Sequence, residues 1–153
     1  MAGRSRLAND AWEALLTAHA EMIKQLAAED VWSEVSMREY DVLYTLSKCP
    51  KPIRLGELNR RVLLSQPALS RMVDRLVERG LVRRDTDASD GRGILLGLTE
   101  EGSAQQRRAG RPHALGVARA MTAAFDDNEL TELTALCRKL VESRQAASVG
   151  ATA

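Results

Sequence analysis

Four side chains near the middle of the chain have the chemistry of nucleic-acid readers. Gln66, Ser70, Arg71 and Arg75 lie off the apolar stripe of one helical segment. An amide, a hydroxyl and two guanidiniums can hydrogen-bond base edges in a major groove, or phosphates beside it. Ser65, just ahead of them, is of the type that caps a helix, and the free amides of a helix N-terminus attract phosphate. Further on, Arg92 stands between Gly91 and Gly93. A lone guanidinium on a slim turn suits a narrow minor groove, and Asp90 is spaced to orient it by a bidentate pair. Catalytic inventories are missing: there is no phosphate loop, HExxH, GxSxG or oriented Cys–His pair. Gly91-Arg92-Gly93 lacks the further glycine and helix of a nucleotide fingerprint. His19 and His113 have no carboxylate at ligand spacing, so neither an enzyme nor a metal or cofactor site is expected.

The elements that must hold these residues follow from periodicity. Trp12, Leu15, Leu16, His19, Met22, Ile23 and Leu26 form a helical stripe. Ser36 with Glu39 makes a capping box for a second helix with Met37, Tyr40, Leu43 and Leu46 on its buried face, ending before Cys49-Pro50-Lys51-Pro52. Ile53-Arg54-Leu55 reads as an extended triplet and 56–62 as a short helix. Ser65 caps the next, with Pro67 in its first turn, Leu69, Met72, Val73, Leu76 and Val77 inward, and Gly80 ending it. Leu81-Val82 and 94–98 flank a polar, glycine-containing loop and predict a hairpin. The region after Thr99 and Gly102 is helical, either kinked or split at Gly110-Arg111-Pro112. Asp126 with Glu129 opens a last stripe of Leu130, Leu133, Leu136, Cys137, Leu140 and Val141. Short helix, turn, capped helix and hairpin, in that order, predict a mainly α fold with a small β-hairpin wing, a winged helix-turn-helix.

Composition agrees. The 153 residues contain 22 Lys+Arg and 21 Asp+Glu, but residues 51–111 hold 13 basic and 8 acidic side chains. A basic middle between acidic ends is the footprint of a nucleic-acid module flanked by non-binding segments. Two distant cysteines make no disulfide scaffold. No apolar run reaches membrane-spanning length, and MAGRSRLAND has no apolar h-region, so a soluble cytoplasmic protein with no membrane partner is expected.

The run Leu55-Gly56-Glu57-Leu58, Ser65 through Leu76, Glu78-Arg79-Gly80-Leu81-Val82, then Asp90-x-Arg92, Leu98-Thr99 and Gly102 resembles the MarR family of bacterial winged helix-turn-helix transcriptional regulators. The resemblance implies one domain over 1–144. Its winged module would cover about 53–100, its N- and C-terminal dimerisation helices about 7–30 and 103–144, and 145–153 would be a disordered tail. It further implies a homodimer on a palindromic double-stranded DNA operator, acting as a repressor that a small aromatic or phenolic effector releases. Carried over by position, Ser65, Gln66, Ala68, Ser70 and Arg71 lie nearest bases or phosphates, Arg92 is the wing-tip arginine and Asp90 its partner. Pro67 stands where many relatives have a small polar residue, and Gly93 makes the tip more flexible than a second arginine would.

Trp12, His19, Tyr40, Tyr44 and His113 are candidates to line an effector pocket, against ordinary core packing. Cys137, on its leucine stripe, reads as a buried small hydrophobe. Cys49 at a helix end carries the alternative of a redox-sensing repressor, with only Lys48 and Lys51 near it in sequence. A winged-helix protein-interaction module is the remaining alternative, and it would require a recognition face richer in exposed apolar residues.

Overall fold

The computed structural model describes residues 2–91 and 93–150; Met1, Arg92 and 151–153 lie outside the described residues, as do the side chains of Ala2 and of 144–150. The elements are α1 (Ala2–Ala27), α2 (Met37–Ser47), β1 (Ile53–Arg54), α3 (Leu55–Asn59), α4 (Gln66–Glu78), β2 (Val82–Thr86), β3 (Ile94–Leu98), α5 (Glu100–Ala124) and α6 (Asp127–Gly150). The chain forms two compact units, Met1–Ala114 and Leu115–Ala153.

In the first unit β1, β3 and β2 make a three-stranded antiparallel sheet in that order. Ile53 pairs with Leu96, and Val82 with Leu98 through Thr86 with Ile94. The extended triplet is thus a third strand, shortened because α3 begins at Leu55. Leu43 and Leu46 of α2, Leu58 of α3, Leu69, Met72, Val73 and Leu76 of α4, and Leu81, Val82 and Leu96 of the sheet form one core. Truncating a fully buried leucine such as Leu76 to alanine in such a core costs about 2–5 kcal/mol.

Helix ends follow the sequence chemistry. Ser36 Oγ accepts from Glu39 N at 3.2 Å while Glu39 Oε2 accepts from Ser36 N at 2.9 Å, closing the capping box. Gly80 takes φ +70°. Its amide donates to Val77 O, and that of Leu81 to Leu76 O, both at 2.9 Å. This pair of bonds is a Schellman stop, and it sets the angle between α4 and β2. Thr99 ties the sheet to α5. Its hydroxyl donates to Gly80 O at 2.6 Å and accepts from Gly102 N at 2.9 Å. The Thr99–Gly102 pair is therefore a structural clasp.

α5 is one helix with Pro112 inside it, which settles the choice left open at Gly110-Arg111-Pro112. His113 consequently lies within a helix and does not open one. The missing Pro112 amide removes one rung, at a cost of about 3 kcal/mol, and the ladder continues on either side. In the second unit, Asp126 Oδ1 accepts from Glu129 N, and Glu129 Oε2 from Asp126 N, each at 2.9 Å, opening α6 as expected. α6 extends to Gly150, through most of the segment expected as a tail. Gln145, Ala146 and Ala147 are good helix formers with no proline among them.

A Cβ on Gly102 would overlap the Leu81 carbonyl oxygen. Because backbone cannot yield as a flexible side chain does, Gly102→Ala is expected to cost about 1–3 kcal/mol or more. A drop in the urea midpoint at matched protein concentration checks this.

Candidate nucleic-acid interface

Helix α4 buries one face and bares the other. Ser65 is its N-cap, with Oγ accepting from Ala68 N at 3.4 Å, and Pro67 sits in the first turn, where its missing amide costs no intrahelical bond. Ser65, Gln66, Pro67, Arg71 and Arg75 are exposed, whereas Ala68 and Ser70 are half-buried. Ser70 lines a groove of about 430 Å³ with Arg54, Leu55, Val73, Arg84 and Ile94. The preceding turn presents Leu63, 90% exposed, beside this bare N-terminus.

Charge pairing divides the arginines into two groups. Those of the sheet are compensated: Arg84 pairs with Asp74 of α4, Arg83 Nε with Asp85 at 2.8 Å, and Arg54 with Asp87 at 2.7 Å and Asp90 at 3.1 Å. Arg61 likewise pairs with Glu57, and Arg79 with Glu39. Among the described residues, Arg60, Arg71 and Arg75 have no ion-pair partner. Among the described residues of the segment 53–98, the unpaired positive charge thus belongs to α4 and the turn before it.

The wing is the β2–β3 hairpin with residues 87–93 at its tip. Asp87 N donates to Gly93 O at 2.8 Å and Gly93 N to Asp90 O at 2.7 Å, closing the loop. Asp90 accepts from Arg54, a partner 36 residues away. Arg92, and with it the expected Asp90–Arg92 geometry, lies outside the described residues. A Cβ on Gly93 would stand 3.0 Å from Arg54 Nη2, so this glycine admits the Arg54 side chain as well as shaping the tip. Arg54, Arg84 and Asp74 escape a reading by sequence spacing because each pairs with a residue of another element.

Of the aromatic candidates, the fold assembles three and adds a fourth. The His113 ring lies 5.0 Å from Trp32 and 5.3 Å from Tyr40, and Tyr40 stacks on Tyr44 at 5.8 Å. Burial pushes the Tyr40 hydroxyl pKa up, against a hydrogen bond with Gln106 that lowers it. His113 Nδ1 is buried with no hydrogen-bond partner. Trp12 and His19 are exposed on α1, and among the described residues neither makes a ring contact with this cluster. Trp32 escapes the periodic reading because it stands between helices, where its indole donates to Leu26 O at 2.7 Å. Cys49 is half-buried, its thiol donating to Thr45 O at 3.3 Å with Arg61 Nη1 at 3.6 Å. Cys137 is exposed, contrary to the expectation of burial. The later part of its stripe on α6 is bare in the single chain, with Leu136 at 56% and Leu140 at 49% exposure, while Leu130 and Leu133 are half-buried.

Hydrogen bonds from the Ser89 hydroxyl, then from Arg54 and the Ser89 amide, hold the Asp87 carboxyl down to a pKa of about 2. A carboxylate depressed below its unfolded value, about 3.9, stabilises the fold above that pH. The contribution fades as pH falls through the folded value. The Asp87 carboxyl carbon should therefore titrate near pH 2 by NMR and move upward in Ser89→Ala; an ordinary titration in the wild type would contradict the loop geometry.

Comparison with known proteins fits this arrangement. The MarR family model matches residues 35–94. The HTH-type transcriptional regulator PecS of Dickeya dadantii is 31% identical over 114 residues, covering 72% of this chain and 68% of PecS. A MarR family regulator of Streptomyces coelicolor, solved in complex with DNA, superposes with a TM-score of 0.74 at 25% identity, covering 88% of this chain and 86% of that one. PcaV of the same organism, solved with its natural ligand, gives 0.64 at 26%, covering 88% and 91%. A winged module with a basic, half-bare helix α4, matched in sequence and in fold, places this chain in the MarR family of DNA-binding transcriptional regulators.

Proposed function

We propose that the protein is a homodimeric repressor that reads a palindromic operator and releases it on binding a small aromatic effector. One observation carries the DNA reading: Arg60, Arg71 and Arg75 lack acidic partners while the sheet arginines around them are paired. Unpaired guanidiniums beside exposed helix amides suit phosphates, and Gln66 and Arg71 have the donors and acceptors for base edges. Ser65, Ala68, Ser70 and Arg75 flank them on α4, and Asp90 with Arg92 belongs to the wing.

A second copy of the chain is what the bare apolar stripes call for. Trp12 is 58% exposed, and Leu16, Leu136, Leu140 and Val141 are open as well. A monomer in water gains nothing by baring such surface. His19 shares the α1 face with Trp12 and would be covered with it. Two recognition helices related by a two-fold axis would then meet half-sites about one helical turn apart.

Tyr40, Tyr44, His113 and Trp32 form the patch best suited to a phenolic effector, with the buried Nδ1 of His113 available to a ligand hydroxyl or carboxylate. The redox alternative attaches to Cys49 and its Arg61 contact. Operator binding that is unchanged by peroxide removes it.

Selection of bound duplexes from a random library tests the reading. An enriched palindrome is expected, bound with a steep salt dependence from phosphate contacts. On that operator Arg71→Ala and Arg92→Ala are each expected to cost about 1–3 kcal/mol with the dimer intact. Absence of any DNA binding would move the weight to a protein-interaction module. A phenol panel should release the operator from the wild type and fail to release it from His113→Ala.

A further inference from the structure

Arg54 occupies a junction that none of its neighbours shares. It is the second residue of β1, pairs with Leu95 of β3, and stands at the N-cap position of α3. Its guanidinium leaves that junction and reaches the wing tip, where Nη2 donates to Asp87 Oδ2 at 2.7 Å and Asp90 Oδ2 at 3.1 Å. Asp87 also accepts from Ser89 N at 3.0 Å and Ser89 Oγ at 2.6 Å, so its carboxylate is fixed from both sides. Gly93 leaves the space through which the guanidinium passes.

Stability explains only part of this contact. Asp87 is 15% exposed, but the Arg54 side chain is 51% exposed and that of Asp90 52%, and the more open arm adds little to folding. Geometry explains the rest. Arg84 with Asp74 already fastens the middle of the wing to α4. Arg54 fastens its tip to the start of α3, and Asn59 Nδ2, donating to Leu64 O at 2.9 Å, ties α3 to the turn before α4. The hairpin is thereby referenced to the recognition helix at two heights, which fixes its tilt; a single attachment would leave it free to pivot.

We propose that Arg54 is a positioning residue for DNA binding: by bridging Asp87 and Asp90 it holds the wing tip at the height and tilt from which it meets the minor groove. This rests on the DNA-binding reading above. Two other roles for Arg54 make different demands. If it only masked the two carboxylates from DNA phosphates, neutralising them would strengthen binding. If it contacted phosphate directly, its loss would be independent of the wing arginine.

The test uses the full-length protein and the selected operator, with circular dichroism and thermal midpoints as folding controls. Arg54→Ala is expected to weaken binding roughly tenfold, and by less than about twofold in an Arg92→Ala background, because both changes disable the same contact. Hydroxyl-radical protection should be lost at the flanking minor grooves and kept under α4. The double variant Asp87→Asn/Asp90→Asn leaves β1 untouched, so it tests the brace even if Arg54→Ala folds poorly. It should also weaken binding, despite removing negative charge from the interface. Equal losses in the two backgrounds, or tighter binding by the Asp variant, would overturn the proposal. A wild type that selects no operator would instead sink the reading beneath it.

Discussion

Everything in the winged module depends on α4 burying one face in the core while baring the other. Its thirteen residues make fewer than four turns. Leu69, Met72, Val73 and Leu76 take the inward stripe, fully or nearly buried against α2, α3 and the sheet. What remains is a strip carrying Gln66, Arg71 and Arg75. A helix that moved within its core could not present that strip in a fixed register. The Schellman stop at Gly80, the Thr99 clasp and the Asp74–Arg84 pair all act on the position of this one helix. The tolerance is narrow because close-packed interiors shift little without losing contacts.

The second constraint is electrostatic. A chain of nearly neutral overall charge can still attract a polyanion if its acidic residues are spent on chosen basic ones. Here the acids of the wing, Asp85, Asp87 and Asp90, and Asp74 on α4, are engaged by arginines of the sheet. Their repulsion of phosphate is thereby reduced near the wing, while Arg60, Arg71 and Arg75 keep an open field. Local arrangement matters more than the net count because screening confines these interactions to about a Debye length, roughly 8–10 Å.

Much of this was legible in the sequence, and what was legible shares a cause. Capping boxes, the Gly80 stop and the leucine stripe of α4 are local, written within a few residues of where they act. The wing brace was not legible. Arg54 looks like one polar residue in an extended triplet, and nothing in its neighbourhood specifies partners more than 30 residues away. Trp32 failed for a related reason, since it belongs to no periodic stripe. Cys137 erred in the opposite direction. A helical stripe tells that a face is to be covered but not by what, and here the single chain leaves it bare.

The aromatic cluster shows how a ligand response would have to work. Tyr40 belongs both to that cluster and to the core that seats α4. Gly110 lets its hydroxyl approach α5, since a Cβ there would stand 3.0 Å from Tyr40 Oη. A ligand settling against His113 and Tyr40 would shift the DNA-binding equilibrium only in so far as it binds one arrangement of these helices better than another. A hundredfold difference in affinity between two arrangements corresponds to about 2.7 kcal/mol, which is of the size of leaving one buried polar group without its hydrogen bond, about 1–3 kcal/mol. The buried, unpartnered Nδ1 of His113 is a group on which such a difference could turn. Satisfied by a ligand in one arrangement and left bare in the other, it would couple occupancy to the seating of α2 through Tyr40.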